Sequence, residues 1–217
     1  MTNSPTGSPL ARNRLKRGRP PADKTTQYKK IVRCAEEAFV ERGYSQTSMD
    51  EVAGKAKISK RTLYEYFPNK RELFRAVIVE HRFRIINLSE IKGSAGSPNE
   101  MLYRIFLDDR SPEDVARRFN IFQLAFDEAS QNPEVRDIVF EAGRRPAVLS
   151  LVIWFESQDL FEGHDQEQLA SILLDMVFGF ASRREVFEMS PEAYALHVKL
   201  RVDIFLNGVV SKSSPPD

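Results

Sequence analysis

An all-α fold is what this sequence predicts, on three observations. Apolar residues recur at helical spacing through most of the chain; the β-branched runs are short and lie inside those patterns, so nothing segregates as strand; and Ser, Asn, Pro and Gly fall where helices would start and stop. With 217 residues, 41% of them hydrophobic, the chain can bury one good core or a small domain packed on a larger one.

Residues 1–23 are rich in Ser, Pro, Gly, Thr and Asn and hold almost nothing apolar to bury, which predicts an arm with no structure of its own. Arg12, Arg14, Lys16, Arg17 and Arg19 crowd into it. Two readings stay open. Lys16-Arg17-Gly18-Arg19-Pro20 resembles the core of an AT-hook, in which Arg17 and Arg19 would lie in a narrow minor groove because glycine lets the backbone approach its floor. The alternative is a solvated basic tail giving non-specific attraction.

Residues 24–41 read as the first helix, with Ile31, Ala35, Ala38 and Phe39 inward and Gly43 as a left-handed stop. Cys34 shares that face, either as a buried structural thiol or as a redox-sensitive one. The stretch 48–67 follows. Ser48, with Glu51 three residues on, has capping-box spacing, and Met49, Val52, Ala53 and Ala56 make an apolar stripe over about two turns. Ser59 can cap a second short helix whose start, Lys60, Arg61 and Thr62, is basic or polar while Leu63 and Phe67 face inward. Two cations and a hydroxyl at an exposed helix start suit a phosphate backbone or a base edge. Thr47 and Ser48 stand where hydroxyls bind phosphate or simply cap. Lys57, at the turn, must adopt a left-handed conformation or alter the turn.

Pro68 ends the second helix and Asn69 caps a longer one over 69–90, carrying Leu73, Phe74, Val77 and Ile78. The run 91–98, with two glycines, marks a domain boundary. Helices are then expected at about 99–109, 112–130 and 133–143, with Ser111 and Asn132 capping ahead of Pro112 and Pro133. Gly143-Arg144-Arg145-Pro146 reads as a break before a buried apolar helix over 147–155, and Gly163-His164-Asp165 as another. The last two helices are placed at about 165–187 and 191–208. The expected organisation is an arm (1–23), a head (24–68), a connecting helix (69–90), a larger helical domain (91–210) and a tail (211–217).

The final pair of helices is apolar on more than one side. Leu169, Ile172, Leu173, Met176 and Phe180 make one stripe; Val198, Val202 and Phe205 make another, with Leu196, Leu200 and Ile204 on the opposite side of their helix. Such helices either close a core or meet a second copy of the chain. The stripe of five and the Val198, Val202 and Phe205 face are taken as the seam of a homodimer.

The net charge of +1 conceals an asymmetry. Residues 1–80 carry 17 Lys and Arg against 9 Asp and Glu, a net +8, and the remainder 15 against 22, a net −7. Such a division suits a protein one end of which is to attract nucleic acid while the other must not. No Gly-rich phosphate loop, nucleophile elbow or zincin motif is present, and the carboxylates are scattered as solvated faces, so no enzyme is expected. One cysteine and three scattered histidines offer neither a disulfide nor zinc spacing, and no cofactor is implied. Without an 18-residue apolar run or a secretory leader the expectation is a cytoplasmic protein with no membrane contact.

The run TSMDEVAGKAKISKRTLYEYFPNKRELF, residues 47–74, resembles the DNA-binding core of the TetR family of bacterial transcriptional regulators, above all in Ser59-Lys60-x-Thr62-Leu63-Tyr64-x-Tyr66-Phe67 followed by Asn69-Lys70. Lys57 departs from the glycine usual at the turn, and Arg61 stands where a small residue is common. The resemblance is strong over 27–78 and architectural beyond, where the C-terminal part is similar to AefR-like members. It implies a homodimeric repressor that binds a palindromic double-stranded DNA operator and is released by a small lipophilic effector. Arg61 and Tyr64 would carry base preference and Thr47, Tyr66 and Lys70 would fix position, with Ser48, Lys60 and Thr62 in the same DNA-binding set, Lys60 and Thr62 able to meet either a base or a phosphate. It also implies a pocket behind the connecting helix. Phe106, Phe119, Phe122, Phe126 and Trp154 are candidates for its wall or for plain core, and Arg144 or Arg145 for meeting an anion. A constitutive architectural DNA binder without effector is the alternative function.

Overall fold

The computed structural model describes residues 23–85, 96–107, 112–179 and 190–210, and every regular element among them is helical. Arg17, Arg19 and Phe180, the side chain of Phe119, the arm below residue 23 and the tail above 210 lie outside the described residues.

Helix α1, Lys24–Gln46, buries the predicted stripe of Ile31, Ala35, Ala38 and Phe39 and adds Val32 and Glu36. It continues past residue 41 because Gly43 kinks it rather than ending it. At φ 81 and ψ 165 that glycine occupies an extended mirror-image region, not the left-handed helical one expected. Helix α2, Met49–Ala56, starts with the Ser48 hydroxyl accepting from the Glu51 amide. Only that half of the box forms, since the Glu51 carboxylate turns to Arg42 at 2.9 Å. Lys57 closes α2 in the left-handed conformation, φ 55 and ψ 47. Helix α3, Lys60–Tyr66, is capped by Ser59 and anchored inward by Leu63, which is buried. Helix α4, Lys70–Ile85, lays Leu73, Phe74, Val77 and Ile78 beneath the head.

Helices α5 (Pro98–Phe106), α6 (Pro112–Gln131) and α7 (Pro133–Ile138) follow, with proline at the first position of each as its missing N–H allows. The expected break at 143–146 does not occur. One π-helical turn, Val139–Arg144, carries the chain straight into α8, Arg145–Ser157. A wider π turn accommodates Pro146, which has no N–H to give the preceding turn, so the helix shifts register instead of stopping. The break before α9, Gln166–Phe178, is as read: Asp165 caps it, accepting from the Gln168 amide at 2.9 Å. Helix α10 is Pro191–Val210.

Two apolar cores result. One joins α1 to α4 with Ile121 and Ala125 of α6 and Val135 and Ile138 of α7. The other packs α5, α8, α9 and α10 around Phe106, Leu151, Phe155, Leu173 and Val202. Leu173, Val198, Val202 and Phe205 are buried here, which corrects their assignment to a dimer seam. Leu169 and Met176 are partly buried against the same core, and of the described residues of that stripe only Ile172 is exposed. The outward stripe of α10 is the opposite one, Leu196, Leu200 and Ile204, exposed by 70%, 55% and 54%. Both stripes have helical spacing, so only packing could choose between them.

Candidate nucleic-acid interface and ligand chamber

The outer face of α3 is built from its own start. Ser59 accepts from the Thr62 amide at 3.0 Å, and the two hydroxyls lie 2.8 Å apart. Leu63 pins the opposite side inward. Arg61, Tyr64 and Lys60 are therefore exposed together, with the Arg61 side chain at 90%. Each cation already has a carboxylate beside it. Lys60 Nζ reaches Asp50 at 2.7 Å, a bond that raises its pKa, and Arg61 Nε reaches Glu65 at 3.2 Å. Exposed pairs of this kind are worth little to stability, so phosphate oxygens can displace the carboxylates. Tyr66 is half-buried with its ring 6.5 Å from Phe67. Ser48 is exposed but already engaged as the α2 cap.

Two of the expected position-fixing residues point elsewhere. Thr47 is buried, and its hydroxyl donates toward the Gly43 and Ala38 carbonyls at 2.8 and 3.1 Å. A hydroxyl bonded to carbonyls on both sides of the turn leading to the kink latches that helix end, so Thr47 is corrected from surface contact to internal strut. Lys70 Nζ donates to the Tyr44 and Ser45 carbonyls at 2.9 and 3.2 Å and lies 4.5 Å above the Tyr44 ring. Two of its three donors are thus spent on the head's own backbone.

Tyr44 is where the head meets the body. Its hydroxyl donates to Glu134 at 2.8 Å, and burial, then that bond, pushes its phenol upward in pKa. Nearby, Glu36 of α1 holds Arg117 of α6 through two bonds of 3.0 and 2.8 Å. His81 Nε2 of α4 stands 3.2 Å from the same carboxylate. These contacts have long sequence separations and no motif, and nothing along the chain signals them beyond a Glu on an apolar helix face.

Behind α4 lies an apolar chamber of about 220 Å³. Ile78 and His81 of α4 form one wall; Ile121, Phe122, Ala125 and Phe126 of α6 form another. Gly143, Ala147, Leu174 and Phe178 close it. A methyl group on Gly143 would sit 3.2 Å from Ile78, so glycine sets how near the π turn comes to α4. Of the candidate wall residues, Phe122 and Phe126 are in place, with Phe122 stacked on Phe178 at 5.3 Å. Phe106 and Trp154 are corrected to core, buried among α5, α8 and α9 where the packing of those helices carries them. Arg144 lines the mouth but is held bidentately by Asp175 at 2.6 and 3.0 Å, with Ser171 at 2.6 Å. Arg145 is exposed on a separate cleft beside Glu141, because it follows Arg144 by about a quarter turn. Cys34 is half-buried away from the chamber, and burial first of all pushes its thiol up, which disfavours the reactive thiolate.

Among the described residues no group of His, Cys, Asp and Glu is placed to hold a metal, and no helix is long and apolar enough to cross a membrane.

Residues 31–77 match the family model described as bacterial regulatory proteins, tetR family. The HTH-type transcriptional activator FasR of Mycolicibacterium smegmatis is 45% identical over 51 residues, which are 24% of this chain and 23% of that one. The chain spans about a quarter of the length of the first curated relatives it matches. Two solved structures share the fold along nearly their full lengths. A TetR-family transcriptional regulator from Rhodococcus has a TM-score of 0.69 at 19% identity, covering 84% of this chain and 99% of its own. Thermus thermophilus FadR, a TetR family transcriptional repressor in complex with lauroyl-CoA, has a TM-score of 0.57 at 22% identity, covering 88% and 98%.

Proposed function

We propose that this chain, whose residues 31–77 match the model of bacterial regulatory proteins, tetR family, is a regulator of that family acting as a homodimeric repressor whose grip on a palindromic operator is released by a small lipophilic effector. Each copy presents α3 to a major groove. Lys60, Arg61, Thr62 and Tyr64 make the approach, with Arg61 and Tyr64 on base edges and Lys60 and Thr62 on the backbone. Ser48, Tyr66 and the third Lys70 donor add position. Arg17 and Arg19 of the arm extend the footprint into a minor groove. Two copies meet through the exposed α10 stripe of Leu196, Leu200 and Ile204, with Ile172 of α9 alongside.

The observation that carries the effector half is the position of α6. Ile121, Phe122, Ala125 and Phe126 wall the chamber, and the contacts that hold α1 lie on either side of them, Arg117 to Glu36 and Glu128 to the Tyr44 amide. An occupant that moves α6 thereby moves the head, provided it binds one arrangement better than the other. The lauroyl-CoA bound to Thermus thermophilus FadR, a repressor of the same fold, supports a lipophilic effector here.

The test uses the full-length protein and the intergenic DNA beside its own gene. A labelled fragment carrying an inverted repeat should bind at two chains per duplex, resist unrelated competitor, and weaken as salt rises. Equal affinity for unrelated duplexes under the same salt would overturn sequence-specific regulation in favour of architectural binding.

A further inference from the structure

His81 is 3% exposed, lines the chamber, and its Nδ1 has no hydrogen-bond partner among the described residues. Its other nitrogen, Nε2, stands 3.2 Å from the Glu36 carboxylate, within ion-pair reach but off the line of a hydrogen bond. A carboxylate only accepts, so the tautomer with its proton on Nε2 is the one that suits this contact, and Arg117 already supplies positive charge to the same carboxylate through its two bonds. A neutral ring in that tautomer presents a bare Nδ1 lone pair to the cavity. The other charged groups on the lining, Arg144 and Asp175, satisfy one another at the mouth. A buried acceptor in an apolar wall costs free energy until a donor reaches it.

We propose that the effector is a neutral, apolar molecule bearing one hydroxyl or N–H donor, and that His81 Nδ1 is the acceptor for that donor. The inference rests on the chamber's being the effector site. It names the polar group the site selects and makes the same side chain the link to α1, since the ring that receives the donor leans on Glu36. The volume of about 220 Å³ exceeds the roughly 150 Å³ that accommodates benzene in a dry engineered cavity, so a benzene ring with a short chain fits. An anionic ligand is disfavoured because a bare Nδ1 lone pair offers it no donor.

The experiment titrates the full-length protein calorimetrically with para-propylphenol, with para-propylanisole, its methyl ether, which cannot donate, and with para-propylbenzoate. The phenol should bind about tenfold tighter than the ether, the worth of one ordinary hydrogen bond. His81→Phe should bind phenol and ether alike. In the unaltered protein the ring-nitrogen NMR signal of His81 should move with the phenol and stay with the ether, which decides the matter even if the variant fails to fold. Equal binding of phenol and ether overturns the donor assignment and leaves the chamber standing as a ligand site. Preference for the benzoate overturns it in favour of an anion. No binding by any of the three removes the chamber reading and this inference with it.

Discussion

The Tyr44 amide donates to Glu128 Oε1 at 2.7 Å, across a sequence separation of 84 residues. With its carbonyl accepting from Lys70 and its hydroxyl donating to Glu134, every polar group of Tyr44 is engaged, and two of the three tie the head to α6 and α7. The residue before it makes that geometry available. A methyl group on Gly43 would lie 2.5 Å from Glu128 Oε1, in a backbone region that is essentially glycine's own.

Gly43→Ala should therefore lose about 1–3 kcal/mol, from strain and from a displaced Glu128. Glu128→Gln, which keeps the shape and an acceptor, should lose less. Urea unfolding of both variants checks the order, and an unchanged midpoint in Gly43→Ala would contradict it.

Glu36 gives a pH signature. Burial by itself raises its carboxyl, but His81 and then Arg117 outweigh that and leave it below the ordinary 4.5. A carboxyl depressed by folding stabilises fully above its unfolded pKa and loses that stability as pH falls through the folded one. The unaltered protein should lose stability from pH 4.5 downward. Glu36→Gln should be weaker by roughly 1–3 kcal/mol above that range and show a flatter slope within it. Parallel slopes in urea midpoints measured across the acid limb would show that Glu36 is not the titrating group.

Lys57 is a non-glycine residue at φ 55, where a side chain costs about 1–2 kcal/mol. Glycine removes that strain while adding backbone freedom to the unfolded chain worth about 0.4–1 kcal/mol. Lys57→Gly should gain roughly 0.5–1 kcal/mol net. A loss of stability would mean that the lysine side chain makes a contact worth more than the strain.

Leu200 and Val202 lie on opposite sides of α10, one exposed and one fully buried. Leu200→Asp should leave the helical circular dichroism intact while sedimentation shows single chains. Val202→Asp should unfold the protein, because an unpaired charge has been buried. A Leu200→Asp protein that stays dimeric would place the seam elsewhere.

Arg61 pairs with Glu65 across one exposed helical turn. Arg61→Ala should cost about 1–3 kcal/mol on the operator and flatten preference at one base position. If anisotropy titrations show the same loss on every duplex, Arg61 meets phosphate and not a base.

What the chain's own letters determined is local. Capping residues, helical periodicity and the long signature from Ser59 to Lys70 place α2 and α3 and orient the exposed Arg61 and Tyr64, because each of those features acts within a few residues. Tertiary packing decided the rest. It turned α10 so that Leu200 and not Val202 faces out, drew Thr47 inside, carried the helix through Pro146, left Trp154 in the core, and set His81 against Glu36 and Arg117. Two stripes of equal periodicity, or a hydroxyl that can cap or latch, are degenerate along one strand of sequence. Only the neighbours that arrive from 80 or so residues away, as Arg117 and Glu128 do, remove the degeneracy.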